Sequence, residues 1–156
     1  MMARAFPPVA DLLPHGAPMV LLDDVLDDTE ASLTACVAIR PDSRFAVAGE
    51  GVPAHVGIEY MAQACGAFAG LAARRDGLPV RLGFLLGTRR YHASVPWFRV
   101  GWRLTVTVTV VFREGQMGVF DCRVCHGATE VAAAQITLYQ PDDPAGTPAA
   151  GQEGLQ

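Results

Sequence analysis

The stretch that decides the fold is PAHVGIEYMAQACGAFAGLAA, at residues 53–73. It is apolar around nearly its whole circumference and long enough for about five helical turns. Its strongly polar side chains are His55, Glu59 and Gln63, which are spaced four residues apart and therefore form one stripe on a helix. The stretch predicts a long buried helix, in which the carboxylate of Glu59 is costly unless it is paired, hydrogen-bonded or neutralised.

A membrane span is the alternative interpretation of this helix, because its length is sufficient to cross a bilayer. Glu59 and Gln63 argue against it, since a carboxylate that faces lipid is unfavourable. The strands predicted further along the chain also need an apolar partner to cover their inner face. We therefore expect a helix wrapped by a sheet and no contact with a membrane.

Six segments carry the alternation of apolar and polar residues that is typical of strands. The pattern is clearest at residues 102–113, where Trp102, Leu104, Val106, Val108, Val110 and Phe112 are predicted to share one face. The short turns between the later strands predict antiparallel pairing. The predicted strands cover residues 19–25, 31–40, 81–91, 102–113, 116–126 and 129–140.

This order of elements predicts an α+β fold, in which an antiparallel sheet curves around one long central helix. Residues 1–140 form the predicted single domain. Residues 141–156 are rich in Pro, Asp, Gly and Ala, and we expect them to be a disordered tail. Free sheet edges and a helix that is apolar all round favour a dimer.

Composition excludes several classes of function. A net charge of −4 argues against nucleic acid as a partner. The N-terminus lacks the apolar core of a signal peptide, so we expect a cytoplasmic protein with reduced cysteines. Cys122 and Cys125 are spaced like a metal or redox pair, but residues three apart on a strand point to opposite faces, which favours packing. We expect no metal and no cofactor.

Two motifs carry a resemblance to a known family. Residues 13–25 read LPHGAPMVLLDDV, and residues 58–66 read IEYMAQACG. Together they resemble the β-hydroxyacyl-acyl-carrier-protein dehydratases, which have the hotdog fold. The string GFLLGTRRY at residues 83–91, combined with the helix, is most similar to a divergent branch, the dehydratase-like subunits of aryl polyene biosynthesis. The resemblance runs from about residue 13 to residue 139.

The resemblance implies that Glu59 is the catalytic acid and that Gln63 is the family's helix glutamine. His15 matches the Leu-Pro-His motif and is interpreted as a structural residue. The family's catalytic histidine lies in a His-Phe-Pro-Gly motif before the helix, but residues 43–51 read SRFAVAGEG and contain no histidine. In this family each active site joins the histidine of one subunit to the acid of the other.

Two sources of the missing base stay open. His55 lies one turn before Glu59 on the same helix face and can act as the base. Alternatively, the chain contributes Glu59 to a heterodimer whose related hotdog subunit contributes the histidine. The predicted substrate-binding residues are Ala54, Gly57 and Gln63, with backbone N–H groups at the helix start facing the thioester oxygen.

The predicted activity is dehydration of a 3-hydroxyacyl thioester carried by acyl carrier protein. Arg89 and Arg90 are the predicted docking residues for that acidic carrier, although a solvated rim of arginines is an equally simple interpretation. A hotdog thioesterase that uses Glu59 to activate water is an alternative. A non-catalytic subunit that supports a partner enzyme is another.

Overall fold

The structure is a computed structural model that describes residues 5–13, 19–79 and 84–140. The predicted tail at 141–156, His15 and the first three residues of the predicted strand 81–91 lie outside the described residues. Within the described ranges the strands are β1 (Asp24–Asp28), β2 (Ser32–Ala38), β3 (Val52–Pro53), β4 (Phe84–Ala93), β5 (Trp97–Phe98), β6 (Arg103–Glu114), β7 (Met117–His126) and β8 (Thr129–Tyr139), and the α-helix is α1 (Gly57–Arg75).

The main sheet has six strands in the order β1-β2-β6-β7-β8-β4, and every neighbouring pair is antiparallel. Its inner face packs on α1. The ring centroids of Phe68 on the helix and Phe120 on β7 lie 5.8 Å apart in an edge-on arrangement. The predicted α+β architecture, one helix enclosed by an antiparallel sheet, is confirmed.

The central helix begins with a 3-10 turn, Ala54–Val56, and continues as α1 to Arg75. Its end is fixed by Gly77, whose φ of 70° is the left-handed conformation that glycine adopts without strain. The N–H of Leu78 donates to the carbonyl of Ala73 at 2.8 Å, and the N–H of Gly77 donates to that of Arg74 at 3.1 Å. This pair of hydrogen bonds is a Schellman termination, which glycine at this position makes possible.

The first strand differs from its prediction. A strand over residues 19–25 was expected, but β1 runs from Asp24 to Asp28. The reason is that the backbone of Met19 and Leu21 bonds to the side chain of Gln63 instead of to a neighbouring strand. The short antiparallel pair β3–β5 was not predicted at all, since two residues carry no periodic signal.

A bulge in β6 reverses the predicted orientation of the strand's last residues. Val110 pairs with Phe120 and Phe112 pairs with Val119, so Val111 is the extra residue. Phe112, predicted to face inward, is 51% exposed as a result. Arg113 turns inward in its place, and its guanidinium carbon lies 5.8 Å from the ring centroid of Phe68.

The glycines of the helix are in contact with two different parts of the chain. Gly57 faces the ring of Tyr91 on β4, so the sheet lies close to the helix there. Gly66 and Gly70 instead face Leu13 and the backbone of Leu12, so these two leucines, and not the sheet, cover this part of α1. Among the described residues, no helix is both long and apolar enough to cross a membrane.

Candidate functional site

The start of the central helix is anchored by one segment of the sheet. The N–H of Ala54 donates to the carbonyl of Pro96 at 3.0 Å, and the carbonyl of Ala54 accepts a hydrogen bond from the hydroxyl of Tyr91. The Ala54 N–H was predicted to be free for a substrate oxygen. It is already bonded within the chain, so the structure corrects that role of Ala54 and makes the residue an anchor.

Gly57 is in contact with the same segment. A Cβ at this position would meet the hydroxyl of Tyr91, and it would lie 3.3 Å from Cζ of Phe98. Gly57 is buried beneath these two rings, and its absent side chain is what allows the ring of Tyr91 to reach the helix start. The structure therefore gives Gly57 a packing role, and its predicted contact with substrate stays a prediction.

Glu59 lies in the first turn of α1 and is half-buried. Its Oε2 accepts a hydrogen bond of 3.1 Å from Nε2 of Gln63, one turn further along. Glu59 also lines a cavity beside the helix. A carboxylate fixed on one side by an amide and facing a cavity on the other is suited to exchange a proton with a bound molecule.

Gln63 is almost completely buried, with 1% of its surface exposed. Its second amide hydrogen is donated to the carbonyl of Met19 at 2.7 Å, and its Oε1 accepts the N–H of Leu21 at 2.8 Å. Both donors of the amide are thus bonded within the chain. The geometry makes Gln63 the residue that positions Glu59 and closes the segment 19–21 over the helix, and leaves it no hydrogen to donate to substrate.

His55 lies in the 3-10 turn and its side chain is exposed. Within the described residues, no hydrogen bond joins His55 to Glu59. Of the other described histidines, His92 is exposed on β4, and His126 stacks on Trp102 with ring centroids 4.1 Å apart. The predicted pairing of His55 with Glu59 as base and acid stays a prediction.

The cavity next to Glu59, which we call the helix-side cavity, has a volume of about 360 Å³. It follows a stripe of small residues on α1 toward the turn between β6 and β7, and Arg113 lies at that turn. A volume in the range of roughly 300–1,000 Å³ is typical of small-molecule sites. Besides Glu59, Gln63 and Phe68, its helix wall consists of the small residues Ala62, Gly66, Ala69, Ala72 and Ala73.

The predicted docking arginines, Arg89 and Arg90, differ from the arginine at the end of α1 in their contacts. Arg89 and Arg90 are both exposed on β4. Arg75, in contrast, forms an ion pair with the buried carboxylate of Asp28 and so ties the end of α1 to β1. Arg89 and Arg90 stay candidates for docking, and Arg75 has a structural partner.

The cysteine pair on β7 occupies opposite faces of the sheet, as the strand alternation predicts. Cys122 is buried with its sulfur 3.9 Å from that of Cys65 on α1, whereas Cys125 is half-buried opposite Thr105. Across residues 5–13, 19–79 and 84–140, no group of three or more His, Cys, Asp or Glu side chains is arranged to hold a metal ion.

Sequence reasoning missed two contributors to this region, Tyr91 and Arg113. Each is turned inward by a β-bulge that interrupts the alternation of its strand. The only signal in the sequence is a polar or aromatic residue at a position that regular alternation assigns to the outer face.

Comparison with known proteins identifies the family. The profile of the ApeP-like family, described as ApeP dehydratase, matches residues 7–148. A chain of the dehydratase heterocomplex ApeI:P from Xenorhabdus doucetiae is 30% identical, with a TM-score of 0.84, over 89% of this chain and 94% of that one. A search of curated protein sequences finds no match.

More distant structures share the fold alone. A hypothetical thioesterase from Streptococcus pneumoniae is 11% identical with a TM-score of 0.60, over 76% of this chain and 84% of that one. An uncharacterised protein from Pyrococcus horikoshii is 14% identical with a TM-score of 0.64, over 90% and 98%. With a profile that covers most of the sequence and a relative at 30% identity, the chain belongs to the ApeP-like family of hotdog dehydratases.

Proposed function

We propose that this chain contributes Glu59 as the general acid in the dehydration of a 3-hydroxyacyl thioester carried by acyl carrier protein. The observation that carries the proposal is the position of Glu59, held by Gln63 and facing the helix-side cavity. In the reaction, a base removes the proton from C2, the C3–O bond breaks, and the hydroxyl leaves as water with the proton that Glu59 supplies. The electron pair of the C2–H bond becomes the second bond between C2 and C3.

Charge that develops on the thioester oxygen needs a donor at the helix start. The Ala54 N–H is bonded to Pro96, so the next donor along the chain is the N–H of His55. The first N–H groups of a helix lack partners within the helix and lie at its positive end. We assign the stabilisation of that oxygen to the backbone of His55.

The acyl chain of the substrate fits the helix-side cavity. Small side chains on α1 leave space next to the helix, and the cavity continues from Glu59 toward the turn between β6 and β7. A site of this kind needs a largely apolar wall for the chain and a few polar groups at the reacting end. Glu59 provides the polar end, and the alanines and glycine of the helix provide the wall.

The base comes from a partner subunit in this proposal. The loop before the helix, residues 43–51, contains no histidine, and His55 is exposed with no hydrogen bond to Glu59 in the described part of the chain. The relative from Xenorhabdus doucetiae is a chain of a dehydratase heterocomplex. A related hotdog subunit that carries the missing histidine would complete the site across a subunit interface, whereas a homodimer would have to use His55.

The decisive experiment is a dehydration assay on a 3-hydroxyacyl-carrier-protein substrate. Mass spectrometry detects the reaction as the loss of one water from the substrate. It compares the chain alone with the chain co-purified with a related hotdog subunit that has the histidine motif. We expect activity only in the complex, and we expect Glu59→Gln to lower kcat by roughly 10² to 10⁴. The complex with His55→Ala should retain its dehydration activity, because the side chain of His55 is not the base in this proposal.

Two outcomes would replace this proposal. Full activity of the Glu59→Gln complex would make the chain a non-catalytic subunit that supports its partner. Release of a free thiol from acyl-CoA, in place of an enoyl product, would make it a thioesterase. The hypothetical thioesterase from Streptococcus pneumoniae, which is 11% identical, establishes only a shared fold, so it does not favour that activity.

Docking of the carrier protein is the second part of the proposal. Arg89 and Arg90 are exposed side by side on β4, the strand that also supplies Tyr91 to the helix start. An acidic carrier that binds there would lie on the strand that reaches the site. Charge reversal of both arginines should weaken binding of the carrier and raise KM, with kcat little changed. The same reversal at Arg123, on β7, is the control.

A further inference from the structure

Strand β4 contains a β-bulge at a residue whose backbone conformation is unusual. Arg89 pairs with Gln135 and His92 pairs with Ala133, so two residues of β4 lie opposite the single residue Ala134 of β8. The first of them, Arg90, has a φ of 56°, which is a left-handed conformation without glycine to relieve it. Such backbone strain persists only where the surrounding structure compensates for it, and it is concentrated at functional sites.

The bulge changes the direction of Tyr91. In a regular strand Tyr91 would share the outer face with Arg89, because side chains two residues apart lie on the same side. With the extra residue, Tyr91 instead lies opposite Ala134, which is buried on the inner face. The strain at Arg90 therefore has a definite consequence, since it brings one tyrosine from the outer face to the helix.

The hydroxyl of Tyr91 reaches the first residue of the helix start. It donates to the carbonyl of Ala54, whose N–H is bonded to Pro96 only five residues further along the same segment. Both backbone groups of Ala54 are thus fixed by residues 91–96. The pairing of β3 with β5 extends this attachment to Val52 and Pro53.

We propose that Tyr91 is a positioning residue for the dehydration site, acting through Ala54 on the helix start that presents Glu59 and the backbone N–H of His55. The proposal rests on the function assigned to Glu59 above. Tyr91 does not touch the reacting atoms, because its hydroxyl hydrogen is already donated to Ala54. Its role is to hold the acid and the oxyanion donor at a fixed distance from each other while substrate binds.

A tyrosine is suited to this role because it stays a donor across the working pH range. Burial raises the pKa of Tyr91 to about 12, so the hydroxyl keeps its hydrogen at neutral pH. Gly57 completes the arrangement, since any side chain there would displace the hydroxyl. A phenylalanine would preserve the packing of the ring but would leave the Ala54 carbonyl without this donor.

The test is Tyr91→Phe in the active complex, with Tyr139→Phe as the matched control on the exposed end of β8. We expect kcat to fall about tenfold, the scale of one hydrogen bond, while KM changes by less than about twofold. Amide exchange at Gly57, whose N–H donates to the Ala54 carbonyl, should become about tenfold faster. In Tyr139→Phe, kcat and the amide exchange rate of Gly57 should both equal those of the wild type.

Two results separate the possible failures. If Tyr91→Phe keeps the kcat and the Gly57 exchange rate of the wild type while Glu59→Gln is inactive, the positioning role is wrong and the proposed function stands. If Glu59→Gln is fully active, the proposed function fails, and Tyr91 is then a purely structural residue. Should Tyr91→Phe fail to fold, Gly57→Ala tests the same contact, because its methyl group would displace the hydroxyl from Ala54. A kcat unchanged in Gly57→Ala would overturn the positioning role.

Discussion

Nε2 of Gln63 lies 3.1 Å from Oε2 of Glu59, and the same nitrogen lies 2.7 Å from the carbonyl oxygen of Met19. One amide group therefore connects the proposed catalytic acid to the segment that closes over the helix. The position of residues 19–21 and the position of the acid are consequently linked. A change that disturbs one of them should disturb the other.

Replacement of Gln63 tests this link. In Gln63→Leu the carbonyl of Met19 and the N–H of Leu21 lose their partner, and we expect the free energy of unfolding to fall by about 2 kcal/mol. Dehydration should slow as well, because Glu59 loses the amide that holds it. Urea unfolding and the dehydration assay measure the two effects. Gln135→Leu, which removes an exposed bond to Asp121, should change stability by less than about 0.5 kcal/mol.

Close packing of the backbone of Leu12 on the helix gives a second prediction. A methyl group at Gly70 would collide with the backbone carbonyl of Leu12, whereas one at Gly87 would meet no atom within 4 Å. We expect Gly70→Ala to destabilise the fold by about 1–3 kcal/mol, since the backbone must move to admit the methyl group. Gly87→Ala should be neutral or slightly stabilising. Equal denaturation midpoints for the two variants would contradict this packing.

Much of the fold follows from the sequence because long periodic segments dominate it. The buried helix and the strands at residues 102–113, 116–126 and 129–140 each repeat their pattern over ten or more residues. What could not be predicted are the features that one residue decides, such as the bulge at Val111 and the start of β1 at Asp24, where a glutamine side chain replaces a strand partner.

The candidate site was predictable only in its central stripe. Glu59 and Gln63 were found because polar residues are conspicuous on an apolar helix, and the structure joins them. Tyr91 was not found, since a strained bulge at Arg90 sets its direction and periodicity contains no information about bulges. Ala54 was assigned the wrong role because its bond to Pro96 depends on two-residue strands that no pattern reveals.

The buried thiols provide a third prediction. Burial raises the pKa of Cys65 well above that of an ordinary thiol, and its neighbour Cys122 is also buried. A small fraction of thiolate and poor access both slow alkylation. In the folded protein iodoacetamide should therefore label the half-buried Cys125 at least about tenfold faster than Cys65, as followed by peptide mass spectrometry. Urea should abolish the difference; equal rates without urea would contradict the packing.

Stability at alkaline pH tests the environment of Tyr91. Burial raises its pKa from an ordinary value of 10.0 to about 12, so between these values the folded protein holds a proton that the unfolded chain has lost. This contribution to stability is therefore complete below about pH 10 and is lost as the pH rises through about 12. The sequence has no lysine, so lysine side chains add no titration in this window.

Urea unfolding at about pH 9 and about pH 11.5 measures this loss. The free energy of unfolding should fall between the two, and Tyr91→Phe should lessen the fall by roughly 1 kcal/mol, a modest figure because the side chain is only half-buried. Part of the fall should persist in the variant, since burial also raises the pKa of Tyr60. An identical pH dependence in the wild type and in Tyr91→Phe would show that the hydroxyl of Tyr91 faces solvent and does not bond to Ala54.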